Sequence, residues 1–267
     1  MTAKKIITAE NDYFSSSLHN GILMVRQKQH ILHMTECLED VFYLYDYMDT
    51  VDTSDSYRAF VMFARSEQNG YVEHSRFLSK ILSGIPESND LDRFLNMVNR
   101  LLLKLSTLNR ITVFAGRGTI SLFYLNIGLA HDYRLVAEDT VFENPNTDTG
   151  LITKGSGYFL PRLLGIRKAT DVLQWKSFSA EDALQLGLVD QIVPESKLEE
   201  ETMQFVSRDP VHSPPALLTI RKLLKCDIKE LERSLELEDH LIKERLISAE
   251  FKEAFALSRK HLIRPLS

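Results

Sequence analysis

The middle of the chain alternates between segments of strand length and segments of helix length, and this alternation constrains the fold more than any other feature. The segment 57–64, YRAFVMFA, is a continuous apolar run, which is typical of a strand covered on both faces. Apolar residues then recur at helical spacing over 91–108. Two further strands are predicted over 111–115 and 133–137, with a helix over 122–130 between them. Strands separated by helices predict an α/β protein with mostly parallel pairing.

The flanking segments add a hairpin at the start and helices at the end. The dipeptide Asn20-Gly21 favours a tight turn, so the segment 15–26 is predicted to be a pair of strands. After the hairpin, apolar residues from Ile31 to Met48 share one face of a helix. The final helices are predicted over 214–225, 228–248 and 250–262.

The end of the α/β region is marked by a helix and a short strand. Ser179 can cap a helix whose first turn carries Glu181 and Asp182, and a strand over 188–193 is stopped by Pro194. We therefore predict a core over 1–194 and a helical subdomain over 195–267.

Composition excludes several classes of protein. The chain of 267 residues is 44% hydrophobic and 26% charged, as in ordinary globular domains. A net charge of -5 gives no basic excess for nucleic-acid binding. Cys37 and Cys226 make no disulfide framework and belong to no metal-binding pattern. The first residues lack an apolar core of signal-peptide length, and the stretch 120–130 is far below the roughly 20 residues of a membrane helix. We therefore expect a soluble, cytoplasmic protein that binds no metal, nucleic acid or membrane.

Two passages, 111–165 and 179–194, carry a set of motifs in a fixed order. The first contains a turn and helix from Gly118 to Asp132 and ends in GYFLPRLLG, and the second reads SAEDALQLGLVDQIVP. Between these motifs stand Ala137, Phe142, Pro145 and Gly150. In this order and spacing the chain resembles the crotonase (enoyl-CoA hydratase/isomerase) superfamily over roughly residues 57–262.

This resemblance implies a fold and a ligand. The fold is a crotonase-like spiral of ββα units, followed by a C-terminal helical subdomain through which subunits form homotrimers, often paired into hexamers. The ligand is an acyl-CoA or acyl-carrier thioester, and the implied chemistry is that of a lyase or isomerase of fatty acid metabolism. Coenzyme A then enters as part of the substrate, and no separate cofactor is expected.

The resemblance also implies an oxyanion hole made of two backbone N–H groups, which stabilise the oxygen of an enolate. The first N–H falls at Ser75, after His74, which replaces a family glycine. The second falls at Phe123, in the segment 122–124 that replaces a glycine triplet. These side chains add bulk where glycine lets a ligand approach the backbone. We therefore expect an acyl group that is small or lies differently.

The two glutamates that commonly transfer protons in the family are missing. The resemblance places them at Asn126 and Asn146, and an amide cannot exchange protons at neutral pH. His74 and Asp148 are the candidates to replace them, against the alternative that each is a structural residue. Lys154 is either a ligand for a substrate carboxylate or a solvated surface lysine.

Four basic side chains are candidates for contacts with coenzyme A: Lys28, Arg76, Arg259 and Lys260. Three hypotheses for the function stay open. The protein is an enzyme that needs an oxyanion hole but not the glutamates, a thioester-binding or scaffold protein without catalysis, or a subunit that pairs with an active homologue. The first hypothesis covers decarboxylation of a malonyl-type thioester, isomerisation and thioester hydrolysis.

Overall fold

The computed structural model describes residues 7–64, 70–84, 89–208, 219, 223 and 227–262. Its strands are β1 (Ala9–Glu10), β2 (Phe14–His19), β3 (Ile22–Gln27), β4 (Ala59–Phe63), β5 (Ile111–Gly116), β6 (Thr119–Ser121), β7 (Tyr133–Ala137), β8 (Val141–Glu143), β9 (Ser177–Ser179) and β10 (Gln191–Val193). Its α-helices are α1 (Leu38–Thr53), α2 (Gly70–Gly84), α3 (Asp90–Thr107), α4 (Leu122–Leu129), α5 (Ser156–Gln174), α6 (Ala180–Gln185), α7 (Leu198–Arg208), α8 (Ile228–Ile247) and α9 (Ala249–Leu262). Short 3-10 helices cover Ile31–Glu36 and Glu195–Lys197.

The centre of the fold is a sheet with the strand order β1-β2-β3-β4-β5-β7-β10. The first three strands pair antiparallel, and β3, β4, β5, β7 and β10 pair parallel. Every residue of β5 is buried, because helices cover both faces of this sheet. A smaller sheet joins β6, β8 and β9. The predicted hairpin, the parallel strands and the α/β class are confirmed.

The two faces of the large sheet are covered by different helices. On one face, Phe60 and Phe114 belong to a cluster of buried residues shared with α1, α3 and α4. On the other face, Val206 of α7 packs with Val61 and Val113. The apolar pattern of the strands alone therefore predicts burial on both sides, and the structure adds which helix lies where.

Local sequence signals predict two helices within a few residues of their observed bounds. The helix predicted over 91–108 is observed as α3, Asp90–Thr107. At the start of α6, the Ser179 hydroxyl accepts a hydrogen bond from the Asp182 N–H at 3.1 Å. The Asp182 carboxylate in turn accepts one from the Ser179 N–H at 2.9 Å, which completes a capping box.

Three helices, α2, α5 and α7, were not predicted from the sequence. The pattern places no helix between the strand at 57–64 and the helix at 91–108, whereas α2 fills that interval because Leu78 and Ile81 pack against the C-terminal helices. The helical pattern of α5 is interrupted by Pro161 and by Gly165, whose φ of 73° divides the helix. We infer that packing against distant parts of the chain stabilises these helices, since the local sequence pattern does not predict them.

The C-terminal region is helical, as predicted over 228–248 and 250–262, where α8 and α9 lie. The predicted helix over 214–225 lies outside the described residues apart from 219 and 223. The division of the chain at residue 194 stays a prediction. None of the helices in the described ranges is long and apolar enough to cross a membrane.

We expect Leu102→Ala to lower the free energy of unfolding by about 2–5 kcal/mol, because it opens a cavity in the fully buried face of α3. The measurement is urea denaturation followed by circular dichroism. Thr107→Ala, at the exposed end of the same helix, is the control and should stay within about 0.5 kcal/mol of the wild type. Equal effects of the two changes would contradict the buried placement of Leu102.

Candidate functional site

A cavity of about 50 Å³ lies among the first 3-10 helix, α2, α3, α4 and α8. Its walls are mostly apolar and include Phe77, Phe94, Phe123, Ile152 and Ile242. The polar side chains that line it are His30, His74, Ser121, Asn146, Thr153 and Lys154. One water molecule needs about 10–15 Å³ of such space, so a few waters fit and a larger ligand requires movement of the aromatic side chains.

The N-terminus of α4 opens toward this cavity. Phe123 is the second residue of the helix and lines the cavity, and its ring lies 5.8 Å from the ring of Phe94. The first four N–H groups of an α-helix have no acceptor within the helix. The helix dipole also favours negative charge at this end. The N–H predicted as a donor at Phe123 therefore belongs to a helix end that borders the cavity, and its role as a donor stays a prediction.

The predicted donor at Ser75 has a different environment. Ser75 is the sixth residue of α2, and the helical pattern pairs its N–H with the carbonyl of Tyr71. His74 is the fifth residue of the same helix, where the sequence pattern predicts none. His74 lines the cavity, whereas Ser75 is not part of its wall. The donor role of Ser75 stays a prediction, and the helical hydrogen bond opposes it.

The two asparagines at the glutamate positions meet on one short segment, 153–156. The side-chain amide of Asn126 donates to the Lys154 carbonyl at 2.9 Å and to the Ser156 hydroxyl at 2.7 Å. That of Asn146 donates to the Thr153 hydroxyl at 2.9 Å. Both side chains are buried, and neither Oδ1 atom has a hydrogen-bond partner among the described residues. Asn146 lines the cavity, whereas Asn126 is fully buried behind its wall, and neither position carries a carboxyl group.

Tyr124 stands in the expected glycine triplet, and its ring lies behind that of Phe123, with ring centroids 5.3 Å apart. Its buried hydroxyl accepts hydrogen bonds from the Ile31 N–H at 2.8 Å and from the Gln27 side-chain amide at 2.6 Å. Its ring also contacts His30 edge-on, with ring centroids 4.9 Å apart. The bulk expected at this position is thus fixed by hydrogen bonds, and it narrows the space that glycines leave open.

Behind the cavity, Lys154 forms a buried ionic cluster with α8. Its Nζ lies 2.6 Å from Asp239 Oδ1 and 3.6 Å from Glu238 Oε2, and it donates to the Leu235 carbonyl. Lys154 is 2% exposed, so the expectation of a solvated surface lysine is wrong. The ammonium group already has acceptors, and this arrangement does not support the hypothesis that it binds a substrate carboxylate.

Glu238 connects this cluster to the N-terminus of α5. Its carboxylate oxygens accept the N–H groups of Gly155 and Gly157, each at 2.7 Å. Burial raises the pKa of Glu238, although these hydrogen bonds and the Lys154 charge act in the opposite direction. Gly155 has a φ of 89°, a conformation that favours glycine. A side chain on α8 thereby fixes the segment to which both asparagines bind.

The other predicted residues lie apart from the cavity. Asp148 forms a surface ion pair with Lys176 at 2.7 Å. Lys28 pairs with Glu10 and donates to the Asn11 carbonyl at 2.8 Å. The side chains of Arg259 and Lys260 lie outside the described residues.

Arg76 lines a shallow groove next to the cavity, together with His33 and Lys80. Among the described residues, no group of His, Cys, Asp and Glu side chains is arranged to hold a metal ion. Cys37 is a free thiol, and Cys226 lies outside the described ranges.

Sequence reasoning missed several residues of the cavity, notably His30, Phe94, Ile242 and Leu246. His30 stands at the junction of the hairpin and the first 3-10 helix, where a capping side chain is expected. Ile242 and Leu246 belong to a helical apolar face whose partner the sequence does not identify.

The enoyl-CoA hydratase/isomerase family matches residues 80–260 of the chain, which is more than half of its length. The chain belongs to this family. Probable enoyl-CoA hydratase echA12 of Mycobacterium bovis is 28% identical over 205 residues, which are 74% of this chain and 70% of that protein. The protein of the same name from Mycobacterium tuberculosis strain H37Rv is 29% identical over 170 residues, which are 61% of this chain and 60% of that protein.

Solved structures share the fold. An enoyl-CoA hydratase from Bacillus halodurans has a TM-score of 0.74, with 22% identity, over 92% of this chain and 99% of that chain. An enoyl-CoA hydratase/isomerase from Pseudoalteromonas atlantica T6c has a TM-score of 0.70, with 23% identity, over 96% of this chain and 100% of that chain. The predicted membership of the crotonase superfamily and its fold class are confirmed. The family match includes Phe123, Asn126 and Asn146, and it begins after His74 and Ser75.

We expect Lys154→Met to lower the free energy of unfolding by about 3–5 kcal/mol, because it leaves the buried Glu238 and the partly exposed Asp239 without their cation. Lys176→Met is the matched control, since it removes an exposed lysine from an aspartate at nearly the same distance. That change should lower stability by at most about 1 kcal/mol. Urea denaturation of both variants checks this, and similar losses would contradict the buried cluster.

The pH dependence of stability should show that the pKa of Glu238 is raised in the folded protein. Because burial raises its pKa in the folded protein, the folded state binds this proton more tightly than the unfolded chain. The stability of the wild type relative to Glu238→Gln should therefore be greatest below the unfolded pKa and decrease as the pH rises through the folded one. Denaturation between about pH 4 and pH 8 measures this difference.

Glu250 is a control for which stability should change with pH in the opposite direction. Its hydrogen bond and ion pair with Arg245 lower the pKa of Glu250, so the wild type should gain stability relative to Glu250→Gln as the pH rises. The same slope for both pairs of proteins would show that Glu238 is not buried as described.

Proposed function

We propose that this protein binds an acyl thioester of coenzyme A or of an acyl carrier in the cavity beside α4. We further propose that the N-terminus of α4 stabilises the thioester oxygen, and that the protein does not hydrate enoyl thioesters at an ordinary enzymatic rate. One observation carries the proposal: two buried carboxamides, Asn126 and Asn146, stand where the resemblance places the proton-transferring glutamates.

Thioester binding is supported by the family and by the cavity. The relatives that match most of this chain are named enoyl-CoA hydratases. The cavity walls are mostly apolar, which suits an acyl group, and the amide of Phe123 is one of the helix N–H groups without an intrahelical acceptor. The neighbouring groove is lined by Arg76 and Lys80 but also by Glu73 and Asp90, and Lys80 pairs with Asp90, so its charge adds no support for binding of the phosphates.

The loss of hydration follows from proton chemistry. Adding water to an enoyl thioester requires groups that give and take a proton around that water. Each such group usually contributes a factor of about 10²–10⁴ in rate, so two carboxamides should suppress hydration strongly. A reaction that forms an enolate without removal of a proton does not need these groups for that step. Loss of carbon dioxide from a malonyl-type thioester leaves the electron pair on the α-carbon, and the enolate then needs only stabilisation of its oxygen.

A second candidate is a thioester-binding protein without catalysis. The Ser75 amide lies within a helix and is paired there, so the N-terminus of α4 is the one predicted donor at the cavity wall. The bulk of Tyr124, which hydrogen bonds hold in place, also favours this candidate. Exposed apolar side chains on α8 and α9, among them Leu237, Ile247 and Leu257, suit an assembly with further copies or with an active homologue. We propose a homotrimer as the simplest such assembly.

We expect butyryl-CoA and malonyl-CoA to raise the thermal unfolding temperature of the purified protein, and crotonyl-CoA to remain unhydrated when products are analysed by mass spectrometry. Ile152→Trp should reduce the thermal shift, because the larger side chain occupies the cavity wall. Ile166→Trp is the matched control, since Ile166 is 80% exposed on α5. Turnover of crotonyl-CoA in the usual enzymatic range, with a kcat of about 1–10³ per second, would refute the proposal on hydration.

Product analysis separates the two candidates. Formation of butyryl-CoA from ethylmalonyl-CoA or of acetyl-CoA from malonyl-CoA would support the enzyme. A thermal shift without product would support the binding protein, and no shift with any thioester would leave only the assembly role.

A further inference from the structure

A second cavity, of about 60 Å³, lies between the large sheet and the helices α1 and α3. Its wall is formed by residues such as Val25 of β3, Phe60 of β4, Leu44 of α1 and Leu101 of α3. One water molecule needs about 10–15 Å³ of such space, so this volume corresponds to a ligand of about four to six heavy atoms. Protein interiors contain few voids larger than one water molecule, so a space of this size is unusual inside a core.

The second cavity is separated from the first by one short segment and one pair of rings. In the segment 29–32, the first and third residues line the second cavity, whereas the second and fourth line the first. In α4, Tyr124 lines the second cavity and the neighbouring Phe123 lines the first, with 5.3 Å between the ring centroids. A molecule in the second cavity therefore does not occupy the space proposed for the thioester.

The wall of the second cavity is apolar and carries no charge. None of the described residues that line it has a charged side chain. The hydroxyl of Tyr13 donates to Asp40 at 2.6 Å, and the side-chain amide of Gln27 donates to the Tyr124 hydroxyl at 2.6 Å. The hydroxyl oxygen of Tyr47 is buried, so it presents almost no surface to the cavity. A charged ligand would lose its hydration here without gaining a partner, whereas an apolar ligand loses nothing of this kind.

The wall can also adapt to a ligand. Three of the seven methionines of the chain, Met34, Met48 and Met62, line the second cavity. The thioether side chain is unbranched and polarizable, and it fits irregular shapes and packs well against aromatic rings. Gln29 is exposed, and Tyr13 and Met62 are only partly buried, so the wall reaches the surface of the protein at these residues. They mark a path by which a ligand enters without unfolding of the core.

We propose that the second cavity is a binding site for a small uncharged molecule of alkyl or aromatic character. Burial of the apolar surface of the ligand drives binding. The site is independent of the thioester site, so both ligands bind at the same time. The inference goes beyond the proposed function and does not depend on it.

NMR spectroscopy of the methionine methyl groups tests this proposal, with benzene as the probe. In protein labelled with ¹³C at these methyl groups, benzene should shift the signals of Met34 and Met48 in a saturable way. Met97 is the internal control, because it is fully buried but lines neither cavity, and its signal should not move. Benzoate adds a charge to the same ring and should leave all these signals unchanged.

A filled cavity should lose the site. Met62→Trp places a larger side chain on the wall at a partly exposed position, and it should remove the saturable shifts of Met34 and Met48. Met203→Trp is the matched control, since Met203 is a partly buried methionine of α7 on the other face of the sheet, and it should keep these shifts. The comparison of benzene with benzoate in the wild type does not depend on how well either variant folds.

Several results would overturn the inference. These are the absence of shifts in the wild type, equal shifts at Met97, equal binding of benzoate, and unchanged shifts in Met62→Trp. A final titration adds benzene in the presence of saturating butyryl-CoA. An unchanged affinity for benzene would support two separate sites, whereas exclusion of benzene would show that the cavities form one site and would overturn the proposal. Failure of butyryl-CoA to bind would count against the proposed function alone.

Discussion

The carboxylate of Glu238 holds the C-terminal helix α8 to the segment on which the site is built. It accepts the N–H groups of Gly155 and Gly157 at the start of α5, where a helix has amides without intrahelical acceptors and a favourable dipole for negative charge. The buried Lys154 and the partly exposed Asp239 complete the ionic cluster. Removing charges from water is costly, so this cluster is stable only as a set in which every member keeps its partners.

This anchoring determines the positions of both asparagines. The carbonyl of Lys154 and the hydroxyl of Ser156 accept from Asn126, and the hydroxyl of Thr153 accepts from Asn146. If α8 moved, the segment 153–156 would lose its anchor. The two asparagines would then lose the groups that accept their hydrogen bonds. The apolar side chains of α8 also form part of the cavity wall. The geometry of the candidate site is therefore a property of the whole chain and not of the α/β region alone.

The chemical character of the site follows from three replacements. The resemblance implies that carboxamides stand where the family has proton-transferring glutamates, that the segment 122–124 replaces a glycine triplet, and that His74 replaces a further glycine. The aromatic rings narrow the cavity, and Tyr124 is fixed by two hydrogen bonds. The N-terminus of α4 is unaffected by side-chain identity, because its donors belong to the backbone. We propose that such a site binds an oxygen at the helix end and, with carboxamides at the implied glutamate positions, does not transfer protons in the usual way.

Sequence patterns identified the features that depend on near neighbours in the chain. The continuous apolar run of β4, the helical face of α3 and the capping box of α6 require no knowledge of distant residues, and each was predicted within a few residues of its observed bounds. The motifs around Phe123 and Asn146 likewise identified the family. Contacts between distant segments were not accessible in this way. The helix α2 is stabilised by packing on α9, and Lys154 is buried by residues some eighty positions later in the chain.

The sequence by itself thus determined the α/β class, the hairpin, the parallel strands and the family, because these are properties of local pattern and residue identity. Only the tertiary structure decided that Ser75 lies inside a helix, that Lys154 is buried and that His30 lines the cavity. Burial and hydrogen-bond partners depend on segments far apart in the chain, and no pattern within one segment contains them.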